Sequence, residues 1–155
     1  MFSYDYPVDR LIHRLKYGAD FGVADALARH VGGVVARPEA ELIVPVPLHP
    51  ARLAERGFNQ AVEIARPLAR RWDMALETRG VARRRTDDQV GLALAARRKN
   101  LRDAFSCHSR FDGAHVLLVD DVMTTGATLD ALAKCLKRAG AASVRNLVIA
   151  RTPLR

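Results

Sequence analysis

An apolar run that ends on two carboxylates, a hydroxyl-rich loop and a helix start constrains this chain more than any other feature. Val116-Leu117-Leu118-Val119 leads into Asp120-Asp121-Val122-Met123-Thr124-Thr125-Gly126-Ala127-Thr128-Leu129. The short apolar run predicts a buried strand. After it, Leu129, Leu132, Ala133 and Leu136 share one face of a predicted helix over 127–138. Lys137 and Arg138 suit its last turn and Gly140 its stop. The start of such a helix offers unpaired N–H groups and a positive dipole end. Gly126 lets the backbone close around an anion, and Thr124, Thr125 and Thr128 add hydroxyl donors. Together these residues make a phosphate cradle. Two carboxylates beside it would repel a bare phosphate, but they suit sugar hydroxyls, or a bound Mg2+, next to that phosphate. The competing account makes Asp120 and Asp121 turn residues and the threonines helix caps. The strand–loop–helix context favours the cradle. No P-loop lysine is present, which disfavours a nucleoside triphosphatase.

The rest of the chain supplies more units of the same kind. Val8, Leu11, Ile12 and Leu15 predict a helix over 7–17 that stops at Gly18. Asp20 suits the cap of a second helix through Val23, Leu27 and Val31, ending at Gly32-Gly33. Leu42-Ile43-Val44-Pro45-Val46 reads as a buried strand entering a proline-rich turn, Pro47-Leu48-His49-Pro50. A helix from about Asn59 to Trp72 follows, then a weak strand near Gly80-Val81-Ala82 and a last strand over 144–150. Alternating strands and helices predict an α/β fold with a mainly parallel sheet covered on both faces. Ligands bind such sheets beyond the carboxyl ends of the strands.

Length and composition narrow the class. At 155 residues a single domain over 1–155 is expected, with enough chain for a core. No apolar run is long enough for a spanning helix, and the first residues do not read as a signal peptide. Two cysteines, Cys107 and Cys135, cannot close a Cys-only zinc site, and the default is a reduced, cytoplasmic protein. Lys and Arg number 25 against 17 Asp and Glu, a net charge of +8, which suits polyanionic partners. Residues 79–110 hold nine Lys/Arg and three Asp/Glu. That run reads equally as a solvated face.

The Asp120–Thr128 stretch resembles the phosphoribosyl pyrophosphate (PRPP) signature of type I phosphoribosyltransferases. Leu15-Lys16-Tyr17-Gly18, Val44-Pro45-Val46-Pro47-Leu48-His49, Arg56-Gly57-Phe58-Asn59-Gln60, Arg97-Arg98-Lys99-Asn100-Leu101 and Ala104-Phe105 narrow it. With Thr86 and Gln89, they resemble the ComF/GntX group of competence-protein-F-like proteins of that fold. The resemblance covers nearly the whole chain. It implies a type I phosphoribosyltransferase fold with a small N-terminal helical hood. Members of the group usually carry a cysteine-rich zinc-binding segment ahead of this part. Its absence here fits either a short member or a truncated one.

The resemblance further implies that Thr124, Thr125, Gly126, Ala127 and Thr128 hold the 5-phosphate and that Asp120 and Asp121 meet the ribose hydroxyls as catalytic residues. Pro47, Leu48, His49, Arg52 and Arg56 would serve the pyrophosphate. Arg84, in the run Arg83–Gln89, would belong to a mobile loop over the site and serve the pyrophosphate too. Lys16 at the end of the first helix either contributes to the hood or lays its stem along the surface with its charge in water. Mg2+ would arrive mainly through PRPP, with Asp120 and Asp121 as protein ligands. Two functions stay open: transfer of a phosphoribosyl group with loss of pyrophosphate, or a catalytically silent PRPP-binding module. The second would contact single-stranded DNA or protein partners of DNA uptake through its basic face. The oligomeric state, a dimer included, stays open too.

Overall fold

A computed structural model describes residues 2–84 and 104–153. In chain order the elements are β1 (Phe2–Ser3), α1 (Val8–Gly18), α2 (Phe21–Val34), β2 (Leu42–Pro45), α3 (Pro50–Arg56) and α4 (Gln60–Trp72). They continue with β3 (Ala75–Leu76), β4 (Val81–Arg83), β5 (Phe105–Cys107), β6 (His115–Met123), α5 (Ala127–Arg138) and β7 (Ser143–Arg151). Five strands form one parallel sheet in the order β1-β7-β6-β2-β3. Strands β4 and β5 form a separate antiparallel pair, with Val81 opposite Cys107 and Arg83 opposite Phe105.

The central strand β6 divides the core. Side chains alternate across a strand. Leu117 and Val119 therefore enter one apolar cluster with Ile12, Leu15, Leu27, Ile64 and Leu68 from α1, α2 and α4. Val116 and Leu118 enter the other, with Leu129, Leu132 and Leu136 of α5 and with Val81 and Phe105 of the β4–β5 pair. Both faces of the sheet are covered, which is why β2 and β6 read as continuous apolar runs. The N-terminal helices join the first cluster, α1 packed on α2 and α2 along α4, which covers the sheet. Ile12 and Leu15 are fully buried.

Four local features depart from the pattern read along the chain. The edge strands β1 and β3 have two residues each, too few for any periodicity to show. Helix α3 occupies the stretch after the proline-rich turn. Pro50 sits in its first turn, and His49 caps it, with Nδ1 accepting from the Ala51 N–H at 3.2 Å. Helix α2 runs on through Gly32 and Gly33 to Val34. Strand β6 continues beyond Val119 to Met123, because pairing with β7 persists to Met123 opposite Arg151. Both carboxylates thus lie within the strand rather than in the loop after it. Thr86, Gln89, Arg97, Arg98 and Lys99, and most of the expected loop over the site, lie outside the described residues.

Candidate functional site

The sheet order places the site. Strands β2 and β6 are neighbours, and the chain leaves them in opposite directions. From β2 it passes through α3 and α4 to β3, and α4 covers one face. From β6 it passes through α5 to β7, and α5 covers the other face. A crevice opens at such a switch point, at the carboxyl ends of the two strands. Two loops flank it, Val46–His49 after β2 and Thr124–Gly126 after β6. The Val46 N–H donates to the Val119 carbonyl at 2.9 Å, so the first loop stays tied to β6. Asn59 fixes it from the other side, donating from Nδ2 to the Val46 carbonyl at 3.0 Å. Its Oδ1 meanwhile accepts from the Ala61 N–H at 3.0 Å and caps α4.

The cradle residues come together at the start of α5. Gly126 is the residue before the helix and has φ +82°, a left-handed conformation that other residues adopt only with strain. A Cβ there would meet only Met123 Sδ at 3.5 Å, so the backbone angle, not crowding, calls for glycine. Thr124 and Thr125 are exposed, and Gly126, Ala127 and Thr128 are half-buried. The Ala127 N–H has one weak local partner, Thr125 Oγ1 at 3.4 Å. Gly126, at the cap position, has no side chain to satisfy the other N–H groups of the first turn. The first turn of α5 thus offers backbone donors, with three threonine hydroxyls close by in sequence, groups of the kind that can bind an anion.

The two carboxylates part company. Adjacent strand residues point to opposite faces. Asp121 faces α1 and α4 and is only 3% exposed. Its Oδ1 accepts from Gln60 Nε2 at 3.2 Å, and its Oδ2 lies 2.5 Å from Lys16 Nζ in an ion pair. Gln60 in turn accepts from Arg56 Nη1 at 2.5 Å. Asp120 faces α5 and the β4–β5 pair. Its Oδ1 accepts from the Asp121 N–H at 2.9 Å, and its carboxyl also interacts with the Asp121 side chain. Burial, and then the neighbouring Asp121 charge, push its pKa up to about 8. Asp120 is thus the carboxyl open to a ligand, and Asp121 is held by the protein itself.

The other expected residues fall around this pair. Pro47 and Leu48 line the first loop, while His49 is engaged as the cap of α3. Arg52 lies exposed on α3. Arg56 is half-buried, with its guanidinium 5.4 Å from the centre of the Tyr17 ring. Lys16, Tyr17, Arg52, Glu55, Arg56 and Phe58 line a cleft of about 410 Å³. Arg84 is exposed beyond β4. A larger cavity of about 520 Å³ lies around Glu39, His115, Ser143 and Arg145, at the opposite ends of the strands and away from both loops.

Two residues matter more than sequence reasoning allowed. Lys16 does not keep its charge in water: it reaches inward to Asp121, and its side chain is only 20% exposed. A hint lay in its position, one residue after the buried Leu15 and in the last turn of α1. Arg83 rather than Arg84 is the arginine near Asp120. Burial, and then the Arg52 charge, push its pKa down, and Asp120 pulls it back up. Its guanidinium stacks 5.6 Å from the Phe105 ring centre. The alternation of β4 would have separated Arg83 from Arg84 had that strand been strong enough to read.

A parallel sheet with a threonine-rich loop, a helix start and a carboxyl at its switch point points to a class, and comparison with known proteins agrees on the fold. A family model described as "Phosphoribosyl transferase domain" matches residues 54–154, more than half of the chain. The chain is 37% identical over 158 residues to the DNA utilization protein YhgH of Salmonella typhi, covering 97% of this chain and 70% of that protein. It is 38% identical over 154 residues to competence protein F of Haemophilus influenzae, covering 97% and 64%. With competence protein ComFC of Streptococcus pneumoniae the identity is 25% over 154 residues, covering 97% and 66%. Among solved structures, the glutamine PRPP amidotransferase from B. subtilis superposes with a TM-score of 0.59 at 21% identity, over 81% of this chain and 26% of that one. UMP synthase of Leishmania donovani gives 0.51 at 16% identity, over 91% and 29%. These two likenesses show the type I phosphoribosyltransferase fold alone. The chain belongs to the competence protein F-like family of proteins with a phosphoribosyl transferase domain.

Proposed function

We propose that this chain binds PRPP at the carboxyl end of β6 and transfers its phosphoribosyl group to an acceptor, releasing pyrophosphate, in the service of DNA uptake. One observation carries the reading. The start of α5, with Thr124–Thr128 around it and glycine at its cap position, opens at the β2–β6 switch point beside the half-buried carboxyl of Asp120. The backbone donors and hydroxyls of the loop would hold the 5-phosphate. Asp120 would accept from ribose hydroxyls. Arg83 and Arg52 would face the departing pyrophosphate and stabilise its growing charge. Asp121 acts through the fold, fixing Lys16 and Gln60, and through Gln60 Arg56, along one wall of the crevice. The names of the relatives, in competence and DNA utilization, support the link to DNA.

The donor set bears on Mg2+. Among the described residues no group of three or more His, Cys, Asp or Glu is placed to hold a metal ion. Of the two adjacent carboxylates, Asp120 is the one not held by Lys16 and Gln60. That suits Mg2+, which is often held by one or two carboxylates together with the phosphates of its substrate. Bound there, the ion would neutralise pyrophosphate charge. Asp120 would have to release its proton to serve as a ligand, so affinity for PRPP with Mg2+ should rise as pH rises toward about 8.

A second reading has its own observation. With Asp121 engaged by Lys16 and Gln60, one carboxyl remains for the ribose where the signature suggested two. That favours a silent PRPP-binding module whose basic face meets single-stranded DNA or a partner protein. Pyrophosphate release from PRPP, measured with a panel of nucleobases and amines as acceptors, separates the two. Acceptor-dependent release supports transfer. Tight binding without release supports the module.

A further inference from the structure

The two cysteines of the chain meet at the seam between β5 and α5. Cys107 is the last residue of β5, and Cys135 faces inward from the third turn of α5. Their sulfurs lie 2.9 Å apart, although 28 residues separate them in sequence. Both are free thiols. A disulfide needs about 2.05 Å, so roughly 0.9 Å of further approach would form the bond. One partner is reachable from water and the other is not: Cys107 is half-buried and Cys135 is 6% exposed. The phosphoribosyl site uses neither residue.

We propose that Cys107 and Cys135 are a reversible redox pair whose disulfide clamps the β4–β5 strands to α5. Thiol–disulfide exchange with a small disulfide such as oxidised glutathione accounts for every atom. The Cys107 thiolate attacks the glutathione disulfide, forming a mixed disulfide and expelling one glutathione thiolate. The Cys135 thiolate then attacks the Cys107 sulfur, and the second glutathione leaves. The protein loses two protons and two electrons, and one oxidised glutathione becomes two reduced molecules. Only Cys107 can begin the exchange, because Cys135 is covered; Cys135 is placed to resolve it.

The location gives the clamp a consequence. Strand β4 pairs with β5 and carries Arg83, and α5 begins at the anion cradle. The cross-link would therefore tie the arginine strand to the helix that presents the phosphate donors. Apolar burial and the thiol–thiol hydrogen bond push Cys107 up to about 12, while Arg138, one turn beyond Cys135, pulls it down. Exchange should therefore be slow near neutral pH and faster under alkaline conditions. In a reducing compartment the pair would rest as thiols and close only under oxidative load.

The test equilibrates the purified full chain with an excess of oxidised glutathione at alkaline pH. The unfolded protein is then blocked with iodoacetamide and analysed by non-reducing peptide mass spectrometry. The expected result is a monomer that has lost both free thiols and yields a Cys107–Cys135 cross-linked peptide, reversed by dithiothreitol. Its urea midpoint should exceed that of the reduced chain, since the bridge closes a long loop. The Cys107→Ala variant, which alters a half-buried position and should fold, should keep one unreacted thiol. Cys135→Ala should stop at the mixed disulfide on Cys107. Stable glutathione on Cys107 in the parent chain, disulfide-linked dimers, or two free thiols after equilibration would each overturn the proposal.

Discussion

Replacing Asp120 with asparagine should make the folded chain more stable near neutral pH while weakening its ligand site. Burial, then the Asp121 charge, raise the Asp120 pKa from 3.8 to about 8. The folded pKa lies above the unfolded one. The folded chain therefore keeps a proton that the unfolded chain has lost, and stability falls as pH rises through this window. From 3.8 to neutral pH is about 3 units, which sets a ceiling of about 4 kcal/mol. Asp120 is only half-buried, so water relieves part of that penalty. A gain of about 1–2 kcal/mol at neutral pH is expected for Asp120→Asn. The gain should shrink as pH falls through the unfolded value of 3.8 and vanish only below about pH 3, where the parent carboxyl is protonated in both states. Urea unfolding of both proteins across that pH range measures it. A variant less stable than the parent at neutral pH, or a difference that does not change with pH, would refute the reasoning.

Lys16→Met should destabilise the chain by about 3 kcal/mol in urea unfolding, because it leaves Asp121 charged and buried with only Gln60 as partner. The double change Lys16→Met with Asp121→Leu should recover much of that loss, since two apolar groups replace a buried ion pair. Gly126→Val should weaken PRPP binding, seen by calorimetry, more than it lowers the thermal midpoint. It strains a residue held at φ +82° in the anion loop, while leaving the space around it open. Single-stranded DNA, if bound, should show no sequence preference and should lose affinity steeply between about 50 and 200 mM salt. Fluorescence anisotropy along that salt series checks it, and a flat affinity would contradict an electrostatic contact.

The central β6–α5 unit was legible because its signals are local and strong. An apolar strand, a glycine before a helix and a 3.6-residue period all lie within one short segment. The resemblance carried by Asp120–Thr128 and by Arg56–Gln60 reached the family, and the family model agrees. What escaped depends on contacts distant in sequence. Strand β6 reaches Met123 only because β7 pairs with it there, and that extension sends Asp120 and Asp121 to opposite faces. A local reading ends the strand at the first carboxylate and leaves both acids in one loop. Lys16 looks like a surface lysine at a helix end until α1 is laid against the sheet, where Asp121 comes within 2.5 Å of its nitrogen. Helix α3 has seven residues and begins among prolines, so a turn was the natural expectation. Arg83, the last residue of a three-residue strand, is half-buried, and Arg84 just after it is exposed, a difference no local pattern announces.

The central claim is that the loop between β6 and α5 grips the phosphoribosyl end of PRPP with help from Asp120. Isothermal titration of PRPP with Mg2+ into the parent chain and into Asp120→Asn, both at about pH 9, where the Asp120 carboxyl is ionised, tests it most directly. The account predicts saturable binding to the parent, stronger as pH approaches 8. Asp120→Asn, folded by circular dichroism, should bind about 10-fold to 100-fold more weakly, as expected for loss of a charge-assisted bond. Equal affinity of the two folded proteins, or no binding to the parent at millimolar PRPP, would contradict it.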